Sequence, residues 1–295
     1  MASILITGLT TLDLIFKLDR LPDSDQKYRA NAGSVSGGGN AGNAAVAATR
    51  LGGSVSIFSE VGRDEVGKLI LDGLEKENVN TQAVMQVENF QSSFSSIQID
   101  KSGARQITNF RSKPVSDNFQ NLLKLPIQDG YLADSRWNKA TLTTLELANR
   151  FSKPGVLDAE APVSKEAVAA ASHIAFSRQG LIDFTKNSDF ISGLKSLAQD
   201  LSQWICVTDG SAGVFYVDQG KIRHVKAPKV ETVDTLGAGD VWHGAFVLGL
   251  AEGNNELDSI KFANSAAALK CRTFGGQFGM PTRNEVKAFN PLISG

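Results

Sequence analysis

The stretch Asp234-Thr235-Leu236-Gly237-Ala238-Gly239-Asp240, running into Val241-Trp242-His243-Gly244, holds the residues best suited to chemistry in this chain. Gly237 and Gly239 let the backbone turn tightly and approach a ligand, and the small residues after them can open a helix whose free N–H groups face an anion. Phosphate suits such a site. A carboxylate beside it, Asp240, is electrostatically unfavourable unless it has a task, such as accepting the proton of an attacking hydroxyl. These residue types therefore point to phosphoryl transfer, with Asp240 as general base and the N–H groups of Gly237, Ala238 and Gly239 stabilising charge on the transferred group. A plain glycine turn capping a helix, with Asp240 as a first-turn acid, would use the same residues.

A second glycine cluster, Gly37-Gly38-Gly39-Asn40-Ala41-Gly42-Asn43, satisfies G-x-G-x-x-G, with Glu60 following at a strand end. On paper that is a dinucleotide fingerprint and an NAD-dependent oxidoreductase. Its context argues otherwise, because the preceding run Lys27 to Ser34 is polar and small where a buried apolar strand should stand. Thr208-Asp209-Gly210-Ser211-Ala212-Gly213 follows a buried-type strand and offers hydroxyls and glycines to a phosphate, although a plain turn before a hairpin would look similar. No G-x-x-x-x-G-K-[ST] occurs.

Taken together, the 234–240 loop, the 37–45 glycine cluster, and Gly8 with Asp13 near the N-terminus resemble the signatures of the ribokinase-like (PfkB) family of sugar and nucleoside kinases, in family order. The resemblance covers nearly the whole chain. It implies a three-layer α/β body with a mainly parallel sheet, covering 1–12, 35–91 and 111–295, and a discontinuous β-sheet lid from 13–34 and 92–110. It further implies a kinase moving the γ-phosphate of Mg-ATP to a primary sugar hydroxyl, with Asp13, Gly38, Gly39 and Asn43 facing the sugar. Thr208, Gly210, Gly213, Thr235, Gly237, Gly239 and Gly276 would then hold the nucleotide.

Lys27, Asn109 and Arg136, with the segments Ala266 to Cys271 and Gly275 to Pro281, are similar to the sulfofructose kinase and ketohexokinase-like branch. That implies a ketose with an anionic end, such as 6-deoxy-6-sulfofructose, held by a lysine, an amide and a guanidinium fork. A neutral-sugar kinase for fructose, ribose or 2-keto-3-deoxygluconate, or a sensor that keeps the fold without catalysis, are the alternatives. One departure stands out: where the family often has N-x-x-E, this chain reads Ser177-Arg178-Gln179-Gly180, so protein contacts to Mg²⁺ are unassigned. A monovalent cation such as K⁺, used by many relatives, and a homodimer formed through the lid are further implications.

The elements that must position these groups follow from periodicity. Ile4–Leu9 and 55–59 read as buried strands, 41–51 and 64–77 as helices, and short apolar runs at 131–133, 155–157, 174–176 and 205–207 are separated by helix-length segments. Such alternation predicts a parallel sheet covered by helices. Ser93–Asp100 and Arg105–Phe110 alternate around Lys101-Ser102-Gly103, predicting an antiparallel hairpin with one wet face, and a later hairpin spans 213–217 and 221–225. The 295 residues carry 30 basic and 31 acidic side chains, a net charge of −1 with no like-charge run, so nothing favours nucleic acid or an anionic membrane. No basic apolar leader or spanning run appears, and Cys206 and Cys271 stand alone, which fits two thiols in a reducing cytoplasm. His173, His224 and His243 lack a second histidine at ligand spacing and read as structural, as Trp137 and Trp242 read as core or pocket walls.

Overall fold

A computed structural model of the chain describes residues 1–290. Its strands are, in the first third, β1 (Ser3–Thr7), β2 (Thr11–Lys17), β3 (Ala32–Gly38), β4 (Ser54–Phe58), β5 (Glu60–Gly62) and β6 (Met85–Val87). Next come β7 (Phe94–Ile99), β8 (Arg105–Phe110), β9 (Gly130–Asp134) and β10 (Gly155–Ala159). The last are β11 (His173–Ser177), β12 (Trp204–Thr208), β13 (Val214–Asp218) and β14 (Lys221–Val225).

Eight of them form one sheet in the order β14-β13-β12-β11-β10-β9-β1-β4. All neighbours run parallel from β4 to β12, and the β13–β14 hairpin adds antiparallel to that edge. The apolar runs seen in the sequence are the parallel strands. They are apolar on both sides because both sides are covered. Ile4, Ile6, Val156 and Ala175 pack against the Asn40–Arg50, Ala238–Ala251 and Glu256–Lys270 helices. Leu157, Ile174, Phe176 and Val207 face the helices of 138–200 on the other side.

A smaller sheet, β3-β2-β7-β8, stands apart, and β5 and β6 form a two-stranded pair. The small sheet uses Thr11–Lys17 and Ala32–Gly38, so its strands run past the 13–34 limits read from the sequence at both ends. Asp13 accordingly lies on β2 within the small sheet, six residues beyond the end of β1 at Thr7. The 93–110 hairpin forms as expected, but β8 is an edge strand exposed along its whole length rather than on one face. Asp64 caps its helix by accepting the Gly67 N–H, which is why the helix begins one residue later, at Glu65. No helix among the described residues is long and apolar enough to cross a membrane.

The two helices that carry the glycine motifs cross at almost no separation. A Cβ placed on Gly244 would lie 2.4 Å from the Ala44 carbonyl oxygen, so only hydrogen is tolerated there. Gly244→Val should cost about 1–3 kcal/mol or more of stability by overpacking. The check is a urea titration in which the midpoint falls at constant slope, and an unchanged midpoint would mean that the helices part without penalty.

Candidate active site

The polar groups gather where the parallel strands end. Asp134 closes β9, Asp158 lies near the end of β10, Glu160 follows that end, and Ser177 closes β11. That edge is where open α/β sheets bind ligands, because loops there diverge and helices begin with free N–H groups. The Ala238–Ala251 helix starts at this edge, with Gly237 as its N-cap at φ 75°, a left-handed conformation that favours glycine. The Ala238 N–H is not free, as the sequence reading required, but bonds the Thr235 carbonyl at 3.2 Å. Among the described residues, the N–H groups of Gly237, Gly239 and Asp240 have no such partner, the condition under which a helix start can accept an anion.

Asp240 sits partly buried in the first turn of this helix. Its Oδ2 accepts a 2.7 Å hydrogen bond from the Asn43 amide, whose Oδ1 in turn accepts from Gln277 Nε2 at 3.2 Å. Asn43 was read as an amide for sugar hydroxyls; one N–H of its amide is used on Asp240, because the Ala44–Gly244 contact brings the two helix starts together. Burial pushes the Asp240 carboxyl well above its ordinary range, with Asp158, Glu160 and Asp134 adding like charge and the Asn43 hydrogen bond pulling the other way.

Those three acids were missed by sequence reasoning, since they are scattered over 134–160 and form a group only through the sheet. Asp134 accepts the N–H groups of Leu9 and Arg136 at 2.7 and 2.8 Å, and burial raises its pKa to about 6. Asn40 donates to both Asp158 and Glu160, at 3.2 and 3.1 Å. His243 Nδ1 donates to the Gly239 carbonyl at 2.8 Å while its Nε2 lies 3.5 Å from Asp158, tying this acid to the Ala238–Ala251 helix. The signal available was His243 itself, one turn beyond Gly239.

On the other side of Asp240 is the inner face of the small sheet. Ser36, Asp13, Ser95 and Asn109 stand in one register row across its four strands and so share a face. Asp13 is buried and accepts from Thr11 Oγ1 at 2.9 Å; burial raises its pKa against the hydrogen bonds of Thr11 and Ser95. A Cβ on Gly38 would lie 2.1 Å from Asp13 Oδ2, and one on Gly39 2.4 Å from the Leu9 carbonyl, so the cluster 38–43 links Asp13 directly to Asp240. The cluster leaves an antiparallel strand of the small sheet, and Glu60 accepts the N–H groups of Val115 and Ser116. Neither fits a dinucleotide fingerprint.

The three residues expected to hold an anion are not joined. Lys27 lies exposed between β2 and β3, Asn109 is exposed on β8, and among the described residues neither side chain has a hydrogen-bond partner. Arg136 pairs with Glu160 and donates to the Ala161 carbonyl at 2.8 Å, while its buried Nε has no partner. Arg111, unremarked in the sequence, lines the same narrow cleft as Arg136, Gly8, Glu60 and Trp137. Burial lowers its pKa and the neighbouring Arg136 charge adds to that effect.

Thr208, Gly210, Gly213, Thr235 and Gly239 line one cleft of about 400 Å³, together with Lys229, Trp242 and Asn264. Gly210 and Gly239 present open space where a Cβ would be, as a phosphate cradle needs. Gly276 is elsewhere: buried against Ile15 and Ser36 under the small sheet, it does not line this cleft. Ser177 caps the helix that follows it through Gly180, and Arg178 pairs with Asp209, so the strand end that departs from N-x-x-E has a structural use. No group of three or more His, Cys, Asp or Glu side chains among the described residues is arranged to hold a metal ion.

Comparison with known proteins places this geometry. The model of the pfkB family carbohydrate kinases matches residues 1–283. The ribokinase of Lactococcus lactis subsp. lactis (strain IL1403) is 28% identical over 308 residues, covering 98% of this chain and 97% of that protein. A fructokinase of Vibrio alginolyticus is 26% identical over 323 residues, covering 98% and 99%. Among solved structures, a protein of Agrobacterium tumefaciens described as a candidate ribokinase superposes with a TM-score of 0.92 at 32% identity, covering 98% of both chains.

Carboxyl titration followed by NMR should find Asp240 ionising well above the ordinary 3.8. Asn43→Ala should move it further up, because the hydrogen bond that favours the anion is removed. Ionisation of Asp240 in the ordinary range would show that burial and the neighbouring acids do not reach it.

Proposed function

Because the chain belongs to the pfkB family of carbohydrate kinases, sugar phosphotransferases as a class, we propose that it transfers the γ-phosphate of ATP to a primary hydroxyl of a ketose. The observation that carries this reading is Asp240 in the first turn of a helix whose free N–H groups face the same space. The carboxylate takes the hydroxyl proton as the oxygen attacks. The N–H groups of Gly237, Gly239 and Asp240 receive the charge that develops on the transferred group, and their fixed orientation makes them effective there. Thr208, Gly210, Gly213 and Thr235 hold the nucleotide in the adjoining cleft, with Lys229 in its wall. Mg²⁺ would come with the nucleotide and offset the charge of its phosphates; among the described residues no cluster of acidic, His or Cys side chains is arranged to hold it.

Asp13 and the backbone of Gly38 and Gly39 bind sugar hydroxyls beneath the small sheet, which acts as a lid and keeps water from the γ-phosphate. Arg111 and the unpartnered Nε of Arg136 share one narrow cleft, and an anionic group of a ketose such as 6-deoxy-6-sulfofructose would be received there, with Lys27 and Asn109 reaching it only if the small sheet closes over the bound sugar. A neutral ketose or ribose is the second reading, favoured by one observation: Glu160 already neutralises Arg136. A sensor without catalysis is the third.

We also propose that the lid pairs with a second copy of the chain. Its outer face presents Phe16, Val35 and Phe110, respectively 37%, 55% and 40% exposed, with Val35 opposite Leu14, Phe110 opposite Phe94, and Phe16 two residues along β2 on the same face. Work in the cytoplasm, where ATP is abundant, completes the proposal.

Asp240→Asn should bind ATP normally and lose turnover about 10²–10⁴-fold, measured as ADP release. In the wild type the acid limb of kcat/KM should lie above 3.8, since burial holds the base protonated beyond the ordinary range and activity rises as pH climbs through its pKa. Turnover near wild type in the variant sinks the base assignment. On a panel of 6-deoxy-6-sulfofructose, fructose 6-phosphate, fructose and ribose, Arg136→Ala should raise KM for the anionic ketose about 10–100-fold, the worth of a charged hydrogen bond. Preference of the wild type for a neutral sugar removes the anion site and leaves the kinase; ligand binding without ADP release on any sugar favours the sensor. Val35→Asp with Phe110→Asp should convert a dimer to a monomer in sedimentation, and a monomeric wild type refutes the pairing.

A further inference from the structure

Beneath the loop that carries Asp240 lies a cation with no exposure to water. Lys270, the last residue of the Glu256–Lys270 helix, is 0% exposed. Its Nζ donates to Oδ2 and to the main-chain oxygen of Asp234, both at 3.2 Å, and lies 3.4 Å from the Thr273 carbonyl. Asp234 is itself enclosed, and its carboxylate also takes the N–H groups of Leu236 at 2.8 Å and Gly275 at 3.0 Å. The N–H groups of Val233 and Asp234 reach back to the Cys271 carbonyl at 2.8 and 3.1 Å. One carboxylate and two carbonyl oxygens converge on this unit positive charge, the kind of oxygen donors that would suit a small monovalent cation, and the side chain supplies the charge itself.

The cation is placed where it controls the loop. Asp234 opens the segment that ends at Asp240, and Leu236, held by the Asp234 carboxylate, immediately precedes Gly237. The end of a helix favours positive charge, and a buried carboxylate without a partner would be expensive, so ammonium and carboxylate hold each other in place. Burial depresses the Lys270 pKa while Asp234 works to raise it. Potassium, which the family resemblance implies, does not fit these oxygens, since the ammonium already occupies them.

We propose that Lys270 is a positioning residue that serves as a tethered monovalent cation: its ammonium fixes the 234–240 loop, and with it the anion-accepting N–H groups, so that the reaction needs no free potassium. This rests on the kinase reading of the loop.

The test compares wild type and Lys270→Ala in buffers whose only cation is tetramethylammonium, then with potassium or ammonium added. Wild-type ADP release should be indifferent to both. The variant should lose kcat about 10–100-fold, as misplaced catalytic groups do, with the KM for sugar little changed, and should regain rate with potassium or ammonium but not with more tetramethylammonium. A wild type that requires potassium overturns the proposal. So does a folded variant that keeps its rate, or one whose loss no small cation repairs. Should the variant fail to fold, Lys270→Met replaces it, and the wild-type cation series still decides. ATP affinity by calorimetry reads the same loop without turnover: the wild type should ignore potassium and the variant should depend on it. A wild type inactive on every sugar would defeat the kinase reading, while this binding measurement still judges Lys270.

Discussion

The contact between Asn43 and Asp240 sets the terms for the rest of the molecule. It joins the starts of two helices far apart in sequence, and it exists because nothing larger than hydrogen stands between Gly244 and the Ala44 carbonyl. A carboxylate partly removed from water needs a donor that stays put, and an amide on a second helix supplies one without adding charge. The glycines before Asn43 follow from the same demand. Side chains at Gly37, Gly38 and Gly39 would collide with Gln277, Asp13 and the Leu9 carbonyl, so the strand-to-helix turn can descend to Asp240 only as bare backbone.

Crowding of acids at the sheet edge is the cost of that arrangement, and fixed donors offset it. Asp134 is answered by backbone N–H groups, Asp158 by Asn40 and His243, and Glu160 by Asn40 and Arg136. Asp240 is answered only by the Asn43 amide, and burial with the neighbouring acids keeps its pKa raised. Positive charge is kept out of hydrogen-bond reach of Asp240 and placed instead at Arg136, at Arg111 and, below the loop, at Lys270.

The small sheet is coupled to the same loop through packing rather than charge. Ile15, Ile97 and Ile99 on its inner face form a cluster with Leu236, the residue just before Gly237. Its polar row of Ser36, Asp13, Ser95 and Asn109 therefore sits over the anion-accepting helix start in a fixed relation. A shift of the sheet would be felt at the 234–240 loop through Leu236, which packs in the same cluster.

Local rules made much of this visible beforehand. Strands buried on both sides read as continuous apolar runs, helices as a 3.6-residue period, and the Gly237-Ala238-Gly239-Asp240 turn as the start of a helix, because each depends on neighbours in the chain. The same holds for the 93–110 hairpin and for placing Thr208, Gly210 and Gly213 beside Thr235, once parallel strands are assumed. What depends on residues distant in sequence was not legible. Asn43 looked free for a sugar until the helix crossing turned one N–H of its amide to Asp240, and Gly276 looked like a nucleotide contact until the fold laid it under Ile15. Arg136 looked like a free cation until β10 delivered Glu160 beside it. Lys270, in a segment chosen only for its likeness, gained its role when the end of its helix met Asp234. The sequence by itself determined the elements and the reactive loop, since hydrophobic period and backbone freedom are local properties; only the tertiary structure decided which polar groups are already spoken for, because burial and hydrogen-bond partners are set by what the fold brings together.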